Sequence, residues 1–195
     1  NVTKNGGGSW TRISDNLPQD LWVSRVIASA HKKERVYATL NGYRFDDFTT
    51  YVYKSDNYGQ TWENIGEAIP VSPVNVIKED PANENILYVG TDNGLYISFD
   101  KGSSWSIFNK NLPNVAVHDL VIQPTAKHLI VATHGRSLYK ADVSSIQKMT
   151  NEVLAKQNYI FDISDIRQNR SWGRSWSQWR DAYEPEITIP FYVNA

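Results

Sequence analysis

Asp119 follows His118 in a short apolar run, Arg136 lies two residues after His134, and an aromatic and acidic stretch runs from Tyr43 through Phe45, Asp46 and Asp47 to Phe48. Asp119 is a candidate acid, and His118 a polar group that could contact a ligand. Arginine next to a turn suits an anion. Aromatic faces interleaved with carboxylates offer a sugar both apolar contact and hydroxyl acceptors. Each group also has a plainer role, since polar residues at junctions normally find hydrogen-bond partners and polar groups lining a channel are satisfied by water. Asp119 is a weak candidate acid for a further reason: glycosidic chemistry needs a second carboxyl at about 5–10 Å, and the sequence places none.

The elements that would position these residues are set by a repeat. Trp10, Trp62 and Trp105 are each followed eight residues later by Pro18, Pro70 and Pro113. The second and third copies are 43 residues apart, and the same offset carries Pro81 to Pro124, Leu95 to Leu138 and Ser55 to Ser98. A period near 40 with short strands and turn signals reads as one four-stranded propeller blade per repeat. Each unit offers an apolar strand (23–29, 73–79, 117–123), a second (35–40, 86–91, 128–133) and a third (51–55, 95–98, 138–141). Period-2 alternation and β-branched or aromatic enrichment support all nine. On this alignment Arg25, Asn75 and His118 share one position at the start of the innermost strand, with Asp119 where Val26 and Val76 stand. His134 and Arg136 fall where Thr91 and Asn93 stand. The first unit is longer than the second, and residues 43–50 are read as a loop insertion, on the face that such arrays use for binding.

Two turns carry the most specific motif. Residues 55–62 and 98–105 are read as copies of S-x-D-x-G-x-[ST]-W, which assigns Asp56, Gly59 and Trp62 to the first and Asp100, Gly102 and Trp105 to the second. The carboxylate accepts backbone N–H groups across the turn, glycine takes a positive φ, and the indole enters the space between blades. Residues 5–10 form a degenerate copy with Asn5 as acceptor. Asp56 and Asp100 are therefore expected to be turn staples and not acids.

These motifs resemble the Asp-box, or BNR-repeat, propellers, which include sialidases, sortilin-type receptors and xyloglucanase-type hydrolases. The resemblance spans about residues 4–142 and is nearest to secreted bacterial sortilin-like glycosyl hydrolases, through 132–139 and the tail segments 151–154 and 184–192. It implies an all-β partial propeller of about three blades, and export to the cell envelope or beyond. No hydrolase motif maps onto any position, so catalytic residues are expected elsewhere in such a protein. Two functions stay open: binding or hydrolysis of complex carbohydrate, and non-enzymatic capture of a protein or peptide. The ligand-contact candidates are Arg25, His118, His134, Arg136, Tyr43, Asp46 and Asp47.

Residues 143–195 break the repeat and are expected to be a mostly irregular, Trp-rich linker leading toward a further, immunoglobulin-like domain. Short helices are predicted from Ser144 or Ser145 through Met149 and from Thr150 through Lys156, then a strand at 159–161. Trp172, Trp176, Trp179 and Tyr183 follow helical spacing, as a buried face would, with Arg170, Arg174 and Arg180 beside them. Ile187–Val193 is expected to open a strand of a further domain.

The chain has 195 residues, 20 basic and 21 acidic, for a net charge of −1. That balance provides no field for nucleic acid or an anionic membrane, and no apolar run reaches the ~20 residues of a membrane helix. Cysteine is absent, which excludes disulfides and zinc-thiolate sites. No metal or cofactor is expected; the expected partners are further blades of the same protein, with a glycan or protein ligand.

Overall fold

The computed structural model describes residues 1–195 except Ser164, Arg167, Trp176, Arg180 and Ala195. The fold is all-β, a row of propeller blades. The first blade contains β1 (Trp22–Ala28), β2 (Val36–Gly42), β3 (Asp47–Ser55) and β4 (Glu63–Asn64), antiparallel in that order. The second repeats it with β5 (Val74–Glu79), β6 (Leu87–Thr91), β7 (Gly94–Ser98) and β8 (Ser106–Ile107). The third has three strands, β9 (Val117–Gln123), β10 (His128–Thr133) and β11 (Leu138–Asp142). All nine expected strands are present within a few residues; the two-residue β4 and β8 are too short for a sequence pattern to mark.

The insertion is not a loop. Residues 43–45 form a 3-10 turn and 47–50 extend β3, so the β2–β3 hairpin projects beyond its counterparts. A β-bulge also corrects the alignment at the innermost strands. Register shifts fall between Val23 and Arg25, between Val74 and Val76, and opposite Ala132 and Thr133, so the extra residues are Ser24, Asn75 and His118. Arg25 therefore stands level with Val76 and Asp119, not with His118. In the last hairpin Thr133 matches Thr91, through the same hydroxyl bond across the turn, which puts His134 in the place of Asp92, not Thr91.

The turn motif is built as expected in the second blade. Asp100 accepts from Ser98 Oγ at 2.8 Å, Ser104 N at 2.8 Å and Ser104 Oγ at 2.6 Å. In the first blade the assignment shifts by one residue. Asn57 occupies the acceptor position, bonding Ser55 Oγ at 2.9 Å and Thr61 N at 2.9 Å, whereas Asp56 turns to Arg35 at 2.6 Å. Asn5 does the same upstream, accepting from Ser9 N at 2.8 Å. Gly102, at φ +95°, lies against Ile65, so close that a Cβ would stand 2.7 Å from its Cδ1. Trp62 and Trp105 each donate Nε1 to a carbonyl of the preceding unit, Ile13 and Ile65, at 2.7 Å.

Two clusters join the blades. Between the first and second, Tyr37, Val52, Ile65, Ile69, Val74, Ile77 and Val89 are buried, with Trp105 against them. Between the second and third, Val76, Ile86, Tyr88, Leu95, Leu120, Ile122, Leu129 and Val131 are buried. The first joint also holds a buried carboxylate that no sequence pattern marked. Glu79, 4% exposed, accepts from Ser29 Oγ at 2.7 and 2.9 Å, Ala30 N at 2.8 Å and Tyr37 Oη at 2.9 Å. Arg35 stands 3.6 Å away and also pairs with Glu84 at 3.1 Å. Burial and then the Glu79 charge push the Tyr37 phenol far above its ordinary range.

By contact the chain forms two compact units, Asn1–Lys148 and Met149–Ala195. In the second, Thr150 caps α1 (Asn151–Leu154), and β12 (Asn158–Ile160) pairs with β13 (Phe191–Val193). The predicted 144–149 helix is a 3-10 turn at Ile146–Lys148, and the terminal strand returns to pair within its own unit. The tryptophan stripe is not a helix: Gly173 takes φ +68°, and backbone bonds join Gly173 and Arg174 to Tyr183. Trp179 is 91% exposed, so the buried-face expectation is overturned there. Trp176 and Arg180 lie outside the described residues.

Candidate functional site

The β2–β3, β6–β7 and β10–β11 turns lie at the end of the blades where β1, β5 and β9 begin, as the register requires. All seven contact candidates belong to this end. The bulges shape it, because an extra residue kinks the strand and re-aims its side chain.

An ion pair links the first and third blades. Arg25 on β1 reaches Asp119 on β9 at 2.8 Å, past the intervening β5. Asp119 also accepts from its own strand at Leu120 N, at 2.9 Å. Asp119 is thus engaged both by Arg25 and by its own strand. Arg25 Nε is buried with no hydrogen-bond partner among the described residues, an atom a polar ligand would satisfy.

A second set of bonds runs through two amides to a carboxylate. Asn41 donates to Asn75 at 3.2 Å, and Asn75 donates to Asp92 at 2.8 Å. Ser24 shares a hydroxyl bond with Thr39 at 2.8 Å. The third blade carries His118 at the equivalent bulge, its ring 5.2 Å from that of His134. Arg136 is exposed in the same turn.

The projecting hairpin adds aromatic surface. Trp22, Tyr43, Phe45 and Phe48 are 58%, 49%, 60% and 50% exposed. Arg44 lies over the Trp22 ring at 5.1 Å and donates to Tyr43 Oη at 3.0 Å, holding two rings in place. Asp46 closes the turn in the left-handed region and is exposed. Asp47 is not free for a ligand: it accepts from Thr49 N at 3.0 Å and Tyr51 Oη at 2.8 Å, and the Thr49 bonds, led by its side chain, hold its pKa below the carboxylate range. Sequence reasoning missed Trp22, Arg44, Asn41 and Asp92. Trp22 opening an apolar strand and Asp92 heading a tight turn were the available signals.

Among the described residues no group of three or more His, Cys, Asp and Glu side chains is placed to hold a metal ion. The arrangement offers an ion pair, amide and imidazole groups and exposed aromatic faces at one end of the blades.

No family model matches the chain, and no curated protein matches it. Among solved structures it is similar to an ancestral GH74 enzyme, at 28% identity and a TM-score of 0.49, covering 58% of this chain and 14% of that one. It is similar to the GH74 xyloglucanase from Xanthomonas campestris at 16% identity and 0.49, over 62% of this chain and 21% of that one. It is also similar to YCF48 from Cyanidioschyzon merolae, at 15% identity and 0.46, over 65% and 35%. The chain therefore spans well under half the length of these proteins, and at such TM-scores no residue of the site is carried across from them.

Proposed function

We propose that the three blades bind an extended carbohydrate across the face formed by the β2–β3 hairpin and the starts of β1, β5 and β9, as part of a secreted propeller acting on complex glycans. The observation that carries this reading is the clustering of four half-exposed aromatics with the Arg25–Asp119 pair and the Asn41–Asn75–Asp92 amide chain. Exposed aromatic patches rimmed by polar groups mark binding surfaces. Flat rings take the apolar faces of sugar rings, while paired amides and charges meet their hydroxyls. Binding is the role assigned to these residues, with the catalytic residues of such a protein expected elsewhere.

Glycan-array or calorimetric titration of the chain with soluble plant and microbial polysaccharides tests this. Saturable binding that Phe45→Ala and Trp22→Ala each weaken by about tenfold supports it. No binding to any polysaccharide, with capture of a peptide at the same residues, would replace it with the protein-ligand reading.

A further inference from the structure

The second and third blades fill two equivalent positions at the site end with different chemistry. In the second, the bulge residue Asn75 donates to Asp92 of the β6–β7 turn at 2.8 Å, an amide meeting a carboxylate. In the third, the same two positions hold His118 at the bulge and His134 in the β10–β11 turn, with ring centroids 5.2 Å apart and planes tilted by 37°. The turn that carries His134 is tied down: His134 N donates to Ala116 O at 2.9 Å, and Thr133 Oγ1 donates to Ser137 O at 2.7 Å. Gly135 and Ser137, at φ +70° and +75°, accommodate the one residue by which this turn exceeds Thr91–Gly94.

Exchanging a carboxylate for an imidazole reverses what the pair offers. Asn75 and Asp92 satisfy each other, donor to acceptor. Each imidazole instead brings at least one N–H, and two when protonated, with no negative charge of its own. Rings at this separation hold their nitrogens within reach of one shared acceptor group, since an N–H···O bond spans about 2.9 Å. His118, His134 and Arg136 are all exposed. Arg136, two residues on from His134, adds a permanent positive charge and a planar fork that matches a carboxylate. The acids of this end are engaged by other groups: Asp119 by Arg25, Asp92 by Asn75 and Asp47 by Tyr51, each at 2.8 Å. Asp46 belongs to the hairpin of the first blade.

We propose that His118, His134 and Arg136 form a carboxylate subsite, so that the glycan bound across this face is an acidic one, built from or bearing uronate residues. The inference rests on the carbohydrate reading and specifies its ligand. The two imidazoles donate to the uronate oxygens, and Arg136 balances their charge. The aromatic faces of the first blade take uncharged ring surfaces elsewhere on the same glycan. Bonds to a charged acceptor outweigh bonds to a neutral one, which makes charge the property this subsite selects.

Calorimetric titration of the full chain with polygalacturonate and with alginate, each against its ester, tests it; the ester keeps the sugar backbone and removes the charge. At about 0.15 M salt, where bulk attraction is screened, at least one of the acids is expected to bind about tenfold more tightly than its ester. His118→Asn together with His134→Asp copies the pair of the second blade and should remove that preference, with the melting temperature as the check on folding. Arg136→Gln alone should reduce it about threefold. Equal affinity for acid and ester, both lowered by Trp22→Ala, overturns this inference and leaves the carbohydrate reading in place. A preference that survives the double exchange also overturns it. Binding of none of these polysaccharides overturns the inference, and the carbohydrate reading falls with it only if neutral polysaccharides fail as well. Tighter binding of polyglutamate than of either acid gives the donors to an acidic peptide and overturns the uronate assignment.

Discussion

The two joints between blades use one geometry and opposite chemistry. At the first, Glu79, Arg35 and Tyr37 form a buried polar knot, and Trp105 closes the joint. At the second, the places of Glu79 and Arg35 are taken by Ile122 and Ile86, both buried. Only the tyrosine persists, Tyr88 for Tyr37, with a weaker bond to Asp80 at 3.5 Å. Apolar side chains can therefore hold the two positions that the carboxylate and guanidinium fill in the first joint. The polar knot adds directionality, since a carboxylate with donors from Ser29, Ala30 and Tyr37 accepts one placement of its neighbour.

Copying the second joint onto the first gives the largest expected effect. Glu79→Ile leaves the Tyr37 and Ser29 hydroxyls and part of the Arg35 charge buried without their acceptor, and should cost about 3–5 kcal/mol in denaturant unfolding. Adding Arg35→Ile should recover about 1 kcal/mol or more, because the two sites share one network. A single-variant loss below ~1 kcal/mol would show that the chemical contrast carries no energetic weight. Next in size is Trp105→Ala, expected to cost about 2–4 kcal/mol by emptying the joint. Trp179→Ala, on a side chain 91% exposed, should stay within about 0.5 kcal/mol.

Removing single hydroxyls sharpens the contrast on a smaller scale. Tyr37→Phe strands an acceptor bond of 2.9 Å to a buried carboxylate and should cost about 1.5–3 kcal/mol. Tyr88→Phe gives up a 3.5 Å contact, too long to be a strong hydrogen bond, and should cost ~0.5 kcal/mol or less. Equal losses in the two unfolding curves would mean that the joints differ in composition but not in strength.

The blade repeat was legible because the indole, the turn glycine and the apolar strands are local requirements that recur at a constant offset. What sequence misplaced depends on geometry that leaves no compositional mark. A bulge moved the true equivalent from Arg25 to Ser24, and both are polar. Asp56 was taken for the turn acceptor although Asn57 stands two residues before Gly59, the spacing that Asp100 keeps to Gly102. The Glu79 knot joins groups 42 to 50 residues apart, beyond any local pattern. The tryptophan stripe had helical spacing, but the positive φ of Gly173 and the exposure of Trp179 show that spacing without continuous helix formers is no helix. The pairing of Arg25 with Asp119 was out of reach of any sequence pattern, since the two are 94 positions apart.

The smallest effect concerns the two turns that share a shape and differ by one atom type. Burial opposes the charge of Asp100, but bonds from the Ser104 hydroxyl and backbone, then Ser98, outweigh it and leave its pKa below the ordinary value. A carboxylate depressed on folding stabilises the fold above its unfolded pKa, near 4, and that contribution fades as pH falls through the lower, folded value. Asn57 holds the equivalent partners, accepting from Ser55 Oγ and Thr61 N but donating to Thr61 Oγ, without a proton to gain, so the first turn has no such loss. Asp100→Asn should therefore leave stability at pH 7 within about 1 kcal/mol, since the group is exposed, while flattening the decline of stability below pH 4. Asn57→Asp should steepen it, with Thr61 Oγ turning from acceptor to donor as Ser104 Oγ already does. Melting curves from pH 2 to pH 7 for the two exchanges read the difference directly, and parallel curves would mean that neither turn's acceptor is coupled to folding.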